Sequence, residues 1–268
     1  MKKWLLPLFL SFLFLAAGCT AVPQEDPEEV LDRYYRLVQE EKFSAAYDLL
    51  SELTRQEISR EDYIRAYELQ GEMDSLLLAE LEKVREDREK KLEGRTYHYV
   101  AEFKVTETLK LHTEKEREVL MDPYTRYMVS ENGQWKVFRG DEDLKGLLGD
   151  ILIELAYHLI TGEVLEKDLI RGESLLKEAL EEPEHGEAYY WLGYLSLEQG
   201  SYEKVLDYVE DYLKGELEGV DQGDAWVLTG SAYEGLGNME EARKAYEEAL
   251  AADPGNQYAA ERLQSLVP

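Results

Sequence analysis

The sequence predicts an α+β region, with helices laid over an antiparallel sheet, followed by an all-α array of helical hairpins. Three observations carry this. Helix starts and 3.6-residue periodicity occupy residues 26–70. Alternation of period two follows from Tyr97, and an Asn-Gly pair stands between two apolar runs near residue 132. After Gly140-Asp141-Glu142-Asp143-Leu144-Lys145-Gly146, a glycine-flanked acidic connector, no strand signal returns. The predicted boundaries are 27–140 for the α+β region and 147–268 for the helical one.

Asp26-Pro27-Glu28-Glu29 starts the first helix: Asp26 caps, Pro27 fits the first turn, and Glu29 can answer the cap from three residues on. Val30, Leu31, Tyr34, Tyr35 and Val38 then define one buried face as far as about Glu40. A second short helix is expected from Ser44 to about Leu50. A third begins at Ser59, with Asp62 in the capping-box position before Tyr63, Ile64 and Tyr67. From Tyr97 to Leu111 odd positions are mostly apolar and even ones polar, the pattern of a half-buried strand, with Val100 and Glu107 as misfits. Asn132-Gly133 predicts a tight hairpin between Tyr124–Val129 and Trp135–Phe138, since both central residues need positive φ. Leu76 to Gly94 has helix-forming composition but no continuous apolar face. Its residues alone leave helix and strand both open.

Three helices followed by long antiparallel strands ending in Trp135-Lys136-Val137-Phe138 resemble the nuclear transport factor 2-like superfamily. The likeness is to the small extracytoplasmic domain at the start of some penicillin-binding proteins. Tyr34-Tyr35, Phe43-Ser44-Ala45-Ala46-Tyr47, Ile58-Ser59-Arg60-Glu61-Asp62-Tyr63 and Asn132-Gly133-Gln134-Trp135-Lys136-Val137 carry it over about 110 residues. It implies a cone of helices over a curved sheet, used as a spacer or as a container for a small ligand or active site, and pairing of two copies through their sheets. For Leu76 to Gly94 it implies a strand with a charged turn near Asp87 to Gly94. His98, His112, Tyr97 and Tyr99 are the candidates for an acid–base pocket. The alternation puts both histidines on the face opposite the aromatic side, where they are expected to be exposed.

In the second region residues 223–256 form a 34-residue unit with Trp226, Gly230, Tyr233, Ala242, Tyr246, Ala249 and Pro254 at set intervals. Small Gly230 and Ala242 let two antiparallel helices approach, the aromatic residues fill space, and Pro254 stops the second helix. These positions resemble a tetratricopeptide repeat. Tyr189, Leu192, Gly193, Gly200 and Tyr202 repeat the pattern upstream, with Ser196 and Val205 departing from it and extra residues near Gly215 to Gly219. Leu152 to Glu182, with Leu175, Leu176, Ala179 and Leu180, is a more degenerate unit, and Asn256 to Leu266 a terminal capping helix, about three units in all. The resemblance implies a concave groove for a peptide segment, lined here by Glu187, Tyr190, Tyr194, Asp224, Val227, Ser231 and Glu234. That lining is aromatic and acidic, without a basic clamp, so the matching partner has apolar residues with Lys or Arg nearby. Tyr190 and Tyr194 either serve the groove or pack on neighbouring helices.

Cys19 is the only cysteine in 268 residues. It follows a cationic start, an apolar run from Trp4 to Ala17, and Leu15-Ala16-Ala17-Gly18, which together describe a secretory signal over residues 1–18. The last five positions resemble a bacterial lipobox. The resemblance implies cleavage before Cys19, acyl chains of the palmitate type on its sulfur and new amine, and attachment to the cell membrane on its extracytoplasmic face. Residues 19–26 form the lipidated tether. The chain has a formal charge of −28, and loss of Lys2 and Lys3 with the leader takes it to −30. Such an excess of acid argues against a nucleic-acid partner and serves solubility.

Ser174/Lys177 and Ser201/Lys204 match the spacing of a penicillin-binding nucleophile, but both lie inside the repeats and the chain has no Lys-Thr-Gly. No catalytic residue, metal site or cofactor is expected. The function expected is an anchored scaffold that binds protein through its repeats; the alternative is a ligand carrier or enzyme using the cone.

Overall fold

The computed structural model describes residues 22–112, 117–140, 144, 146–182, 185–215 and 219–266. Residues 1–21, and with them Cys19 and the leader, lie outside this set.

Helix α1 (Pro27–Gln39) begins where Asp26 accepts a hydrogen bond from the Glu28 amide at 2.9 Å, and Pro27 occupies its first turn. Helix α2 (Phe43–Asp48) starts and ends slightly earlier than its sequence suggests. A one-turn helix, α3 (Thr54–Glu57), adds to the three expected; it is too short to leave a periodicity. Ser59 caps α4 (Arg60–Gln70) by accepting from the Asp62 amide, the first half of a capping box, and its hydroxyl donates to the Asp62 carboxylate. These helices are tied to one another by aromatic and hydroxyl contacts. Tyr34 and Tyr63 hydroxyls meet at 3.0 Å, and the Tyr47 hydroxyl donates to the Ile58 carbonyl at 3.0 Å.

The sheet runs β1 (Asp74–Leu92), β2 (Arg95–Leu111), β4 (Tyr124–Glu131), β5 (Gln134–Phe138), all antiparallel, with β3 (Arg117–Leu120) also paired to β2. One face of the sheet and the helix layer enclose the main core. Val30, Leu31 and Tyr34 meet Ala101, Phe103, Val105, Met128 and Val137 there, all at most 2% exposed. The hairpin at Asn132-Gly133 has φ of 51° and 76°, as expected of that pair. Val100, a misfit in the alternation, is buried in a smaller cluster with Tyr97, Val129 and Phe138.

The charged segment departs from its assignment. β1 continues unbroken through Asp87–Leu92, and the turn is confined to Glu93-Gly94, both at positive φ. Cross-strand partners account for it. Glu102 on β2 receives hydrogen bonds from Arg85 at 2.9 Å and Lys90 at 3.1 Å, while the Arg88 guanidinium lies over the Tyr99 ring and the Lys90 ammonium over Tyr127. A sheet offers these long side chains neighbours that an isolated charged helix would not.

Helices α5 (Leu147–Thr161) to α10 follow as three antiparallel pairs: α5 with α6 (Leu169–Ala179), α7 (Glu187–Glu198) with α8 (Tyr202–Tyr212), and α9 (Gly219–Gly235) with α10 (Met239–Ala252). Helix α11 (Gln257–Ser265), capped by Asn256, closes the stack. At Gly230 a Cβ would stand 2.6 Å from the Tyr246 ring, so only glycine admits that fully buried tyrosine. The α+β region and the stack share a core. Ala66, Leu69 and Met73 from the α4 end bury themselves with Leu148, Ile151, Leu152 and Leu155 of α5. Two ion pairs flank this seam, Arg65 to Glu178 and Arg171 to Glu72. The connector contributes as well, because Leu144 is buried in the main core.

Candidate functional site

The helical stack presents an aromatic strip. Trp191 on α7 contacts Tyr157 of α5 edge-on at 5.0 Å between ring centres, and its own neighbours Tyr190 and Tyr194 at 5.2 and 5.8 Å. All four rings are half-buried, and the Trp191 indole N–H donates to Glu187 at 3.0 Å. Tyr190 also leans on Tyr212 at 5.5 Å, so the two predicted tyrosines pack between helices and keep part of each ring in solvent. Trp191 and Tyr157 are additions. Tyr157 belongs to the most degenerate unit, where no repeat register could place it.

The other predicted groove residues lie around α9 and are engaged by their own neighbours. Asp224 accepts from the Asn256 amide at 3.2 Å, the Ser231 hydroxyl meets that of Tyr246 at 3.3 Å, and Val227 packs into the cluster shared with α11. Glu234 is paired with Arg262 of α11, whose Nε donates at 2.9 Å. Burial pushes the Glu234 carboxyl up, but the Arg262 hydrogen bonds outweigh it and hold the group below its ordinary value. Of the predicted groove residues Glu187 is exposed, and the others, from α7 and α9 alike, are half-buried.

A second site lies in the α+β region, where a cavity of about 750 Å³ opens between helices and sheet. Its walls are Tyr34, Tyr35 and Val38 of α1, Phe43 of α2, Tyr67 of α4, Leu76 and Leu109 of the sheet, and Leu147 and Ile151 of α5. Polar groups converge inside it. The Tyr124 hydroxyl donates to Glu107 and lies 2.8 Å from that of Tyr35, and Arg139 donates to the Tyr67 hydroxyl at 2.5 Å. Burial raises the Tyr35, Tyr67 and Tyr124 hydroxyls above their ordinary values, so all three stay protonated at any physiological pH. Burial also raises the Asp74 carboxyl, to about 6.

The histidines and tyrosines expected here fall elsewhere, with one exception. His98 is exposed beside Glu89, Tyr97 is buried in the smaller cluster, and Tyr99 stands under Arg88. His112, expected to be exposed, is half-buried at the cavity wall with Nε2 3.2 Å from the Ser75 hydroxyl. The signal for the true lining was present in the alternation: Glu107 breaks the apolar pattern of β2, and Arg126 shares a face with buried Met128. A charge on a core-facing position marks a polar interior. Among the described residues no group of three or more His, Asp and Glu side chains is placed to hold a metal ion.

Comparison with known proteins identifies the class of the second region. Residues 223–256 and 172–216 match two family models described as tetratricopeptide repeat. This half therefore carries tetratricopeptide repeats and is a protein–protein interaction module. The solved structure titled "MamA RS-1 ArsTM double mutant" is similar at 22% identity and a TM-score of 0.38, with 44% of this chain and 63% of that chain covered. This chain thus spans less than two thirds of that protein. No curated protein matches.

Proposed function

We propose that this protein is a lipid-anchored scaffold on the extracytoplasmic face of a bacterial membrane, and that its repeats hold a peptide segment of a partner protein. The aromatic strip of Tyr157, Tyr190, Trp191 and Tyr194 supports the reading. Half-buried rings on a rigid stack give contact area with little loss of side-chain freedom, and Glu187 and the overall charge suit a segment bearing Lys or Arg beside its apolar residues. The α+β region acts as the spacer between anchor and repeats, and pairing of two copies through their sheets belongs to the same proposal.

Crosslinking on living cells, with the full chain as bait, tests the partner. A Tyr190→Ala/Trp191→Ala variant that folds but captures the same proteins in the same yield removes the strip from the argument. The anchor has its own test: mass spectrometry of the amino-terminal peptide should show acyl chains on Cys19, and Cys19→Ser should release the protein from membranes. A non-acylated start elsewhere defeats that part alone.

A further inference from the structure

The cavity in the α+β region has a charge gradient that selects a ligand. Arg126 is only 5% exposed and lies over the Tyr124 ring at 4.9 Å, and Arg139 sits beside Tyr67. Glu107 and Asp74 are the half-buried carboxylates among these groups, and burial holds the Asp74 carboxyl up, at about 6, so two guanidiniums face two acids of which one is readily neutralised. Glu41 and Glu68 on the lining are exposed, while Glu72 is already paired with Arg171, so the acidic rim rests on Glu41 and Glu68. Between the two lie tyrosine rings and the aliphatic side chains of Leu76, Leu109 and Ile151.

We infer that this cavity binds a short zwitterionic peptide or amino-acid-like molecule, carboxylate inward at Arg126 and Arg139, ammonium outward at the acidic rim, and apolar side chains against the walls. A guanidinium carries five N–H donors in a planar fork, so Arg126 and Arg139 can each take a further acceptor beside their present contacts. The volume falls within the ~300–1,000 Å³ range of small-molecule sites. A polyphosphate would meet repulsion at the rim, and a fatty acid would leave the rim carboxylates unmatched. Because Leu147 and Ile151 of α5 form one wall, the same ligand touches both regions and stiffens the seam between them.

Native mass spectrometry of the full chain in detergent, incubated with an equimolar set of free di- and tripeptides of Val, Leu, Phe and Tyr, supplies the test. Retention of a subset is expected. N-acetylation or C-amidation of a retained peptide should each weaken binding at least tenfold by calorimetry, and hydrogen exchange in α5 and α6 should slow when it is bound. Leu109→Trp, which fills the cavity, should abolish retention; if it fails to fold, Ile151→Phe fills the opposite wall. The inference falls if no peptide is retained, if blocked peptides bind as well as free ones, or if a folded, filled variant retains them unchanged. Capture of a protein partner by the aromatic strip is read on a different surface, so either result stands without the other.

Discussion

Gly230 shows how closely one residue can set the approach of two helices. Alanine there drives its methyl into the buried Tyr246 ring, and Tyr246 is walled by Ala242, Ala249 and Ala259. Gly230→Ala is expected to destabilise the protein by about 1–3 kcal/mol, an overpacking cost measurable by denaturant unfolding. Asp74 sets a different kind of balance. Its carboxyl, raised to about 6 by burial and by Glu154 and Glu107 nearby, favours the folded state while protonated. That contribution is complete below pH 3.8 and is lost as pH rises to about 6. Asp74→Asn should therefore raise stability at pH 7 by roughly 1–2 kcal/mol, discounted for partial exposure, and change it little at pH 3.5. Thermal melts of both proteins across that range decide the point.

At the scale of the element, α11 is held by Arg262 to Glu234 and by Asn256 to Asp224, together with Leu263 and Leu266 in the last cluster. Arg262→Ala should cost about 1–2 kcal/mol and accelerate amide exchange in α11 before the rest of the stack. If α11 exchanges no faster, the ion pair does not fasten it. Elements with local signals were legible in the sequence. The caps of α1 and α4, the Asn132-Gly133 turn and the 34-residue unit each follow from residues adjacent in the chain. β1 was legible only in part, because what makes Arg85–Leu92 a strand is Glu102, Tyr99 and Tyr127 on neighbouring strands. The aromatic strip was half legible for the same reason: Tyr190 and Tyr194 followed from repeat spacing, but Tyr157 reaches Trp191 only through the fold.

For the whole molecule the decisive feature is the seam at α4 and α5. A stack of helical hairpins needs its first hydrophobic face covered, and here Ala66, Leu69 and Met73 cover it. Residues 147–268 expressed alone would expose Leu148, Ile151 and Leu152, so that fragment should unfold at a lower temperature than the same helices in the full chain, with near-ultraviolet circular dichroism as the readout. Leu69→Ala should cost about 2–4 kcal/mol and loosen both regions together. A fragment that melts as the full chain does would show the seam to be incidental. No local pattern could announce this contact, since α4 reads as an ordinary amphipathic helix and the acidic connector reads as a hinge.

Trp135 has one more bearing on where such a body can go. Its indole N–H donates to the Glu25 carbonyl at 3.0 Å, and Arg33 holds the Glu25 carboxylate, so the chain is clamped to the body almost as soon as it emerges. If Cys19 carries the acyl chains proposed for it, residues 19–24 are the leash, about 20 Å at full stretch. The protein would ride low on the lipid surface, unable to cast about for distant company, and whatever it meets must come within a molecule's width of the bilayer.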